Sequence, residues 1–540
     1  MPHPQKLPRI CISATGSTAG ELMECARRAL KQSRFVELRL DWVANPADAI
    51  VLIPKLLADR GRSAARAAIL QATCRRKSNG GRFTGSVARQ LELLHRAAAA
   101  GCRVLDFEIE SAESAGAVPV ASLREAARLI LSFHDFQSTP PLAPVVHRLR
   151  RFSCDYYKVV PTATRQSDNC AVLDFLSSVS EHDTEGGKWV AFAMGEHGIP
   201  SRVLALSRGS AFIYAAPGPF RSSNEAREST AAPGQLDWDT LHNQYRPERL
   251  TNRTAIYGLL GNPVRHSVGA AIHNYAFRSC DLDAVYLPLL ASDLSDFRKA
   301  ASRYPLAGFS VTIPHKQSIL RYVDKTDREV QAAGAANTVR LRRGRWEAIN
   351  TDIDGVRIPL QRIYRLSAGN RLSKGFRAII VGNGGSARAA FIALRALGCR
   401  SIAIAGRHPA HARRLAKEMG GEEVSLPALR RERFDLLIHA TPVGMWPHHD
   451  ECPLTGEQLC ADTVFDLVYN PPDTRLLRMA RAHGCRTISG IEMFLAQAAR
   501  QFEFWTGKKT PLGQMRRIAV EALDHLRRTT AETEPRARKK

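Results

Sequence analysis

Eight times in residues 1–236, a short run of aliphatic and β-branched residues alternates with an Ala-, Leu- and Arg-rich segment. The short runs are RICISA, FVELRLD, AAILQATC, RVLDFEIE, RLILSFHDF, YYKVVPTA, WVAFAMG and SAFIYAA. Segments such as AGELMECARRALKQ and SVARQLELLHRAAAA carry apolar residues at helical spacing. Strands separated by helices pair in parallel, and eight such units close into a (β/α)8 barrel. The expected class is α/β, with chemistry at the C-terminal ends of the strands.

Polar residues collect at those ends: Glu37, Arg39, Arg75, His134 and Lys158, with Arg202 after the seventh strand. An arginine after a strand is often simply solvated, and a histidine beside Asp135 is often structural. Lys158 is different, because it stands inside the apolar run YYKVV. An inward lysine must be paired or lose its proton, and a neutral amine is suited to forming a Schiff base.

VELRLD, the Arg75 segment with Gly80–Gly81, SFHDFQSTP, the Lys158 strand, MGEHGIPSRV and APGQ occur in this order. Together, over residues 9–236, they resemble type I 3-dehydroquinate dehydratase. The resemblance implies that Lys158 condenses with the C3 ketone of 3-dehydroquinate and that His134 takes the C2 proton and assists loss of the C1 hydroxyl. It also implies that Arg202 clamps the carboxylate. Glu37, Arg39 and Arg75 would hold the ring hydroxyls and the lysine environment, with Ser13 and Gln235 completing the pocket. Two positions depart from the family pattern: Asn79 stands where a Glu is usual, and Ala231 where many members have Ser.

At 540 residues the chain exceeds one ordinary core. No stretch of about 18 apolar residues suggests a membrane span. The eleven cysteines fit no zinc spacing. With no signal or transit peptide visible, a cytoplasmic setting is expected. The net charge of +25 is spread along the chain, without a nucleic-acid-binding signature. Small anionic substrates are the expected partners, and nucleic acid is not.

Residues 237–252 are polar and read as a linker. A second α/β pattern follows, with its clearest signal in RAIIVGNGGSARAAFIALRALG. A strand ending at Val381 meets the turn Gly382, Asn383, Gly384, Gly385, Ser386 and Ala387, a G-x-G-x-x-A variant of the dinucleotide fingerprint. The next strand ends at Gly406–Arg407, where NAD sites carry an acid. An arginine attracts a 2′-phosphate, so the expected cofactor is NADP.

GNPVRHS, GFSVTIPHK, AAGAANTV, INTDIDG, HATPVGM, DLVYNPPDTRLL and IEMFLAQAARQFEFWTG follow in order. Across residues 254–507 they resemble shikimate dehydrogenase, so the whole chain resembles the bifunctional dehydratase–dehydrogenase family. The resemblance implies that Lys316 and Asp352 handle the proton while hydride reaches the C3 ketone. Ser267, Thr312, Asn337, Tyr469 and Gln497 would hold the substrate, and Leu467 and Gly490 would line the nicotinamide side. Expected domains are a barrel at 1–236, a substrate lobe at 253–354 completed by 490–525, a Rossmann nucleotide lobe at 355–489, and a basic, disordered tail at 526–540. PHHDEC at 447–452 reads as a solvated loop, and neither reaction calls for a metal.

One departure bears on specificity. The resemblance leads one to expect Ser-x-Ser at the substrate carboxylate, but the chain reads Ser267-Val268-Gly269-Ala270. A lost hydrogen bond to a charged group costs ~1.5–3 kcal/mol. The space at Gly269 would admit the extra C1 hydroxyl of quinate, so quinate dehydrogenase is the alternative for this half. Ser310 and His439, both standing where Asn is usual, also blur specificity, while Thr312 argues for retained shikimate use. A non-catalytic, quinate-responsive regulator is a third reading. Against it stand His134, Lys158, Lys316 and Asp352, all present. Shikimate pathway intermediates, 3-dehydroquinate, 3-dehydroshikimate and shikimate, are the leading substrates.

Overall fold

The computed structural model describes residues 7–58, 68–182, 188–218, 231–264, 267–367 and 369–531. Its first eight strands are β1 (Ile10–Ala14), β2 (Phe35–Arg39), β3 (Ile69–Thr73), β4 (Val104–Glu108), β5 (Arg128–His134), β6 (Tyr156–Val160), β7 (Trp189–Ala191) and β8 (Ile213–Ala215). They lie in the order β7-β6-β5-β4-β3-β2-β1-β8, and the pairings along this sheet are parallel. At the seam, Ala211 N donates to Trp189 O at 2.8 Å and draws the last strand toward the seventh. All eight expected strands are present. Their period of two sends Ser13, Glu37, Gln71, Thr73 and Asp106 into neighbouring positions across β1 to β4. The helices between strands start at local caps. Thr18 and Glu21 form a capping box before the helix Ala19–Gln32.

The helix Gln166–His182, which follows β6, is capped from far away. Asp296 accepts from Gln166 N at 2.9 Å and Ser167 N at 3.2 Å, and Gln166 Nε2 donates to Leu290 O at 2.8 Å. These bonds explain why residues 287–305 fall into one compact unit with the residues up to 255. The 237–252 segment is not extended. It forms a π-helical turn at Thr240–Tyr245, whose Leu241 and Tyr245 are buried, and a 3₁₀ turn at Pro247–Arg249.

The second unit comprises residues 256–286 and 306–531. Six strands, β9 (Ala255–Gly261), β10 (Ala284–Leu290), β11 (Leu306–Val311), β12 (Lys325–Thr326), β13 (Thr338–Arg342) and β14 (Arg345–Ile349), form one mixed sheet in the order β10-β9-β11-β13-β14-β12. Another six, β15 (Arg377–Val381), β16 (Ser401–Ala405), β17 (Glu422–Glu423), β18 (Phe434–His439), β19 (Ala461–Asp466) and β20 (Arg486–Ile488), form a parallel sheet. Its order, β17-β16-β15-β18-β19-β20, reverses beside β15, which is where a doubly wound sheet opens a ligand crevice. Apolar clusters cover both faces, one around Ile380, Phe391 and Phe465, the other around Ile379, Leu437 and Leu477.

The helix Leu512–Ala531 runs into the stretch expected as a disordered tail, and residues 532–540 lie outside the described residues. All eleven cysteines are free. Among the described residues, no helix is long and apolar enough to cross a membrane.

Candidate active sites

The mouth of the barrel holds a pocket lined by Ser13, Glu37, Arg39, Arg75, His134, Lys158, Arg202, Tyr214, Ala231 and Gln235, among others. All six residues that the sequence nominates around Lys158 and His134 therefore meet at one site. At its floor, Lys158 Nζ donates to Asp106 Oδ2 at 2.9 Å and lies 4.1 Å from the Tyr214 ring centre. Asp106 also accepts from Arg75 Nη2 at 3.0 Å and from Ser132 Oγ at 2.6 Å. Burial raises the Asp106 pKa, but the Lys158 and Arg75 charges outweigh it and bring it down to about 2.

Glu37 accepts from Ser13 Oγ at 2.6 Å, Thr73 Oγ1 at 2.6 Å and Gln71 Nε2 at 3.1 Å. Gln235 Nε2 reaches Ser13 Oγ at 3.2 Å. Arg39 is held by both oxygens of Asp41, at 2.9 and 2.8 Å. His134 Nδ1 lies 2.6 Å from Arg75 Nη1. A guanidinium can only donate, so Nδ1 is the acceptor and, in the neutral ring, Nε2 carries the hydrogen. Burial, with the Arg75, Lys158 and Arg39 charges, holds the His134 pKa well below the ordinary 6.5.

Arg202 is the exception in this paired site. It is 1% exposed, and its Nε and Nη2 have no hydrogen-bond partner among the described residues. Its guanidinium lies 4.5 Å over the Phe192 ring, and burial lowers its pKa to about 9. A buried cation with free donors is a seat for an anion.

In the second unit, Lys316 Nζ pairs with Asp352 Oδ2, and Asn337 Nδ2 donates to Asp352 Oδ1 at 2.7 Å. Asp352 sits in the first turn of the helix Thr351–Ile363, where the helix dipole favours its charge. Asn337 Oδ1 in turn accepts from Thr351 N at 2.8 Å. A side chain at Gly385 would place its Cβ 3.4 Å from Lys316 Cδ, so the glycine turn comes directly against the Lys316 pair.

This turn suits a dinucleotide. Gly382 has φ +136°, and a Cβ there would meet Ala440 O at 2.6 Å. Around Gly384 nothing lies within 4 Å of a Cβ, and the helix Gly385–Ala396 begins with no side-chain cap. Its first amide hydrogens are thus open to a pyrophosphate. Arg407 is exposed past the end of β16, whose neighbour β15 leads into the turn. At Gly490 a Cβ would meet Val468 O at 2.3 Å, so only glycine lets this helix start pack on the Leu467–Val468 backbone.

Ser267 Oγ accepts from Gly269 N at 3.1 Å and is a hydrogen-bond partner of Tyr469. A Cβ at Gly269 would lie 3.6 Å from the Tyr286 hydroxyl. Gln497 turns to its own helix, donating to Phe494 O at 2.9 Å, and is not drawn to Asp352. Thr312 is partly exposed on the turn that leads to Lys316.

The family model described as Type I 3-dehydroquinase matches residues 10–250. Models for the shikimate dehydrogenase substrate binding domain, shikimate/quinate 5-dehydrogenase and the shikimate 5′-dehydrogenase C-terminal domain match residues 259–339, 367–443 and 490–519. A bifunctional 3-dehydroquinate dehydratase/shikimate dehydrogenase of Arabidopsis thaliana, named as chloroplastic, is 32% identical over 496 residues, 88% of this chain and 78% of that protein. The chain belongs to this bifunctional family. A shikimate dehydrogenase (NADP(+)) of Methanopyrus kandleri is 40% identical over 50% of this chain and 96% of its own length. A Thermus thermophilus shikimate 5-dehydrogenase, solved with NADP(H) and shikimate, is 31% identical over 50% of this chain and 99% of its own, with TM-score 0.45.

Within this bifunctional dehydratase–dehydrogenase family, the chain's departures have visible partners. Asn79 donates to Glu110 Oε2 at 3.3 Å, while Arg75 occupies His134. Ala231 serves through its backbone, accepting from Arg39 Nη1 at 3.2 Å. Ser310 accepts from Tyr286 at 2.7 Å and donates to Gln501 at 2.8 Å. Sequence reading missed Asp106, Thr73, Gln71 and Tyr214. The available signal was a polar residue inside each of the strand runs LQATC, VLDFE and FIYAA.

Proposed function

We infer that the chain converts 3-dehydroquinate to 3-dehydroshikimate in the barrel and reduces 3-dehydroshikimate to shikimate with NADPH in the second unit. The observation that carries the first step is the buried Lys158–Asp106 pair in the same pocket as Arg202, whose Nε and Nη2 have no partner among the described residues. Arg202 receives the substrate carboxylate and directs the C3 ketone to Lys158. With Arg75 drawn toward substrate oxygens, neutral His134 takes the extra proton of Lys158 at Nδ1, the amine adds to C3, and that proton leaves with the carbinolamine hydroxyl as water, which forms the iminium and restores neutral His134.

Loss of the C2 proton gives the enamine. In the resting site Arg75 occupies His134 Nδ1, so His134 acts as a base once Arg75 is drawn toward substrate oxygens. The proton so gained leaves with the C1 hydroxyl as water, and hydrolysis of the iminium frees Lys158. Glu37, Arg39, Ser13 and Gln235 hold the ring.

In the second unit, the Gly382–Ala387 turn would hold the pyrophosphate of NADPH and Arg407 its 2′-phosphate, and the bound cofactor would supply the hydride. Lys316 donates a proton to the developing alkoxide at C3, and Asp352 keeps Lys316 charged and aimed. Asn337 and Thr312 bind ring hydroxyls, while Ser267 and Tyr469 bind the carboxylate. Leu467 and Gly490 line the nicotinamide side. Shikimate is preferred to quinate as the product of this half. The free cysteines accord with a cytoplasmic setting.

Borohydride reduction of the full chain in the presence of 3-dehydroquinate tests the first step. The reading expects a covalent adduct at Lys158, and an intact chain without adduct contradicts it. NADP⁺ reduction with shikimate and quinate side by side tests the second.

A further inference from the structure

His439, at the end of β18, is fully buried, and so is Asp466 at the paired end of β19. His439 Nδ1 lies 2.8 Å from Asp466 Oδ1, and its Nε2 bonds the Thr441 hydroxyl. Asp466 also accepts from Thr474 Oγ1 at 2.6 Å and from Val468 N at 3.0 Å. Thr441 Oγ1 accepts from Val443 N at 3.3 Å. The Asp–His–Thr line thus ties together two backbone segments, the 441–444 turn and the Leu467–Val468 pair. It also adjoins the glycine turn, since Ala440 N donates to Val381 O at 2.8 Å and Ala440 O closes on Gly382.

The chemistry fixes the hydrogens. A carboxylate only accepts, so Nδ1 carries a hydrogen. In the neutral ring Nε2 then accepts the Thr441 hydroxyl hydrogen. The Thr441 oxygen keeps two lone pairs, one taken by Val443 N–H and one without a partner among the described residues. Thr441 is partly exposed beyond its two buried partners. It therefore offers an acceptor, not a donor, at the strand ends where a doubly wound sheet binds its nucleotide.

We propose that His439 and Asp466 are positioning residues for NADP, orienting Thr441 as an acceptor for a donor group on the nicotinamide half of the cofactor. This rests on the dehydrogenase reading above. Steady-state kinetics of the full chain with Thr441→Val, His439→Gln and the double variant test it, with dehydratase activity as the control for folding. Each single variant is expected to raise KM for NADP⁺ about fivefold, more than it lowers kcat, and to leave KM for shikimate within about twofold. Because both act through one oxygen, the double variant is expected to be no worse than the weaker single variant. An unchanged KM for NADP⁺ in Thr441→Val, or a KM for shikimate that rises in step with it, would overturn the proposal. If His439→Gln fails to fold, Thr441→Val alone decides. A wild-type chain without NADP-dependent shikimate oxidation overturns the dehydrogenase reading and this proposal with it.

Discussion

Lys158 and Arg75 share one counter-charge. The Asp106 carboxylate takes Lys158 on Oδ2 at 2.9 Å and Arg75 on Oδ1 at 3.0 Å, with all three side chains buried. Removing that charge as Asp106→Asn leaves two cations adjacent and uncompensated. A loss of stability of about 3–5 kcal/mol is expected in denaturant unfolding. Dehydratase kcat is expected to fall at least about 100-fold, because Lys158 and the Arg75 contact to His134 both lose their anchor. Stability and kcat near wild type would show that Asp106 is incidental.

Arg202 sets up the opposite relation between stability and activity. Among the described residues, its buried charge has no internal partner for Nε or Nη2. Replacement by Met removes an unmet desolvation cost and is expected to stabilise the ligand-free barrel by about 1–3 kcal/mol. The same change is expected to raise KM for 3-dehydroquinate by about 10- to 150-fold, the loss of a charge-assisted bond to a carboxylate. Thermal unfolding and initial rates give both numbers, and a destabilised Arg202→Met would count against the assignment.

His134 is neutral in the folded site because burial, then Arg75, Lys158 and Arg39, depress its pKa. The acid limb of dehydratase kcat/KM is accordingly expected below the ordinary histidine value of 6.5. The linkage has a definite sign. Below 6.5 the unfolded chain binds a proton that the folded site refuses, so the stability from this group is present above 6.5 and is lost as pH falls toward the depressed value. His134→Gln is expected to flatten that part of the stability–pH curve. An acid limb above 6.5 would contradict the tautomer and the environment described for His134.

Gly269 begins the helix Gly269–Ser279, so a side chain is permitted there by the backbone. Its Cβ would lie 3.1 Å from Ser267 Oγ and 3.5 Å from the Tyr286 ring, a tight but tolerable fit. Gly269→Ser restores a hydroxyl at the carboxylate corner. It is expected to raise kcat/KM for shikimate about 3- to 10-fold, and for quinate by less. Paired kinetics with both substrates check this, and an equal fall for both would show that the space at Gly269 is needed whole.

The barrel was legible because strand and helix periods alternate cleanly, and Lys158 because a charge inside YYKVV has few innocent explanations. Asp106 was hidden. Its run VLDFEIE holds three acids, and choosing among them requires the register that sets Asp106 beside Thr73 and brings it to Lys158. The 237–252 segment read as a linker because polar residues outnumber apolar ones. Leu241 and Tyr245, four residues apart and both buried, were the signal for an ordered turn. Tyr286, Ser310 and Gln501 form one hydrogen-bonded row, with the last two 191 positions apart in the chain. No local pattern announces a contact of that range.

Supplying the full-length chain with 3-dehydroquinate and NADPH and identifying the reduced product tests the two-step account most directly. The account predicts shikimate, with NADPH consumption abolished by Lys158→Ala because dehydration must come first. Quinate as the product, or NADPH consumption indifferent to Lys158→Ala, would contradict it.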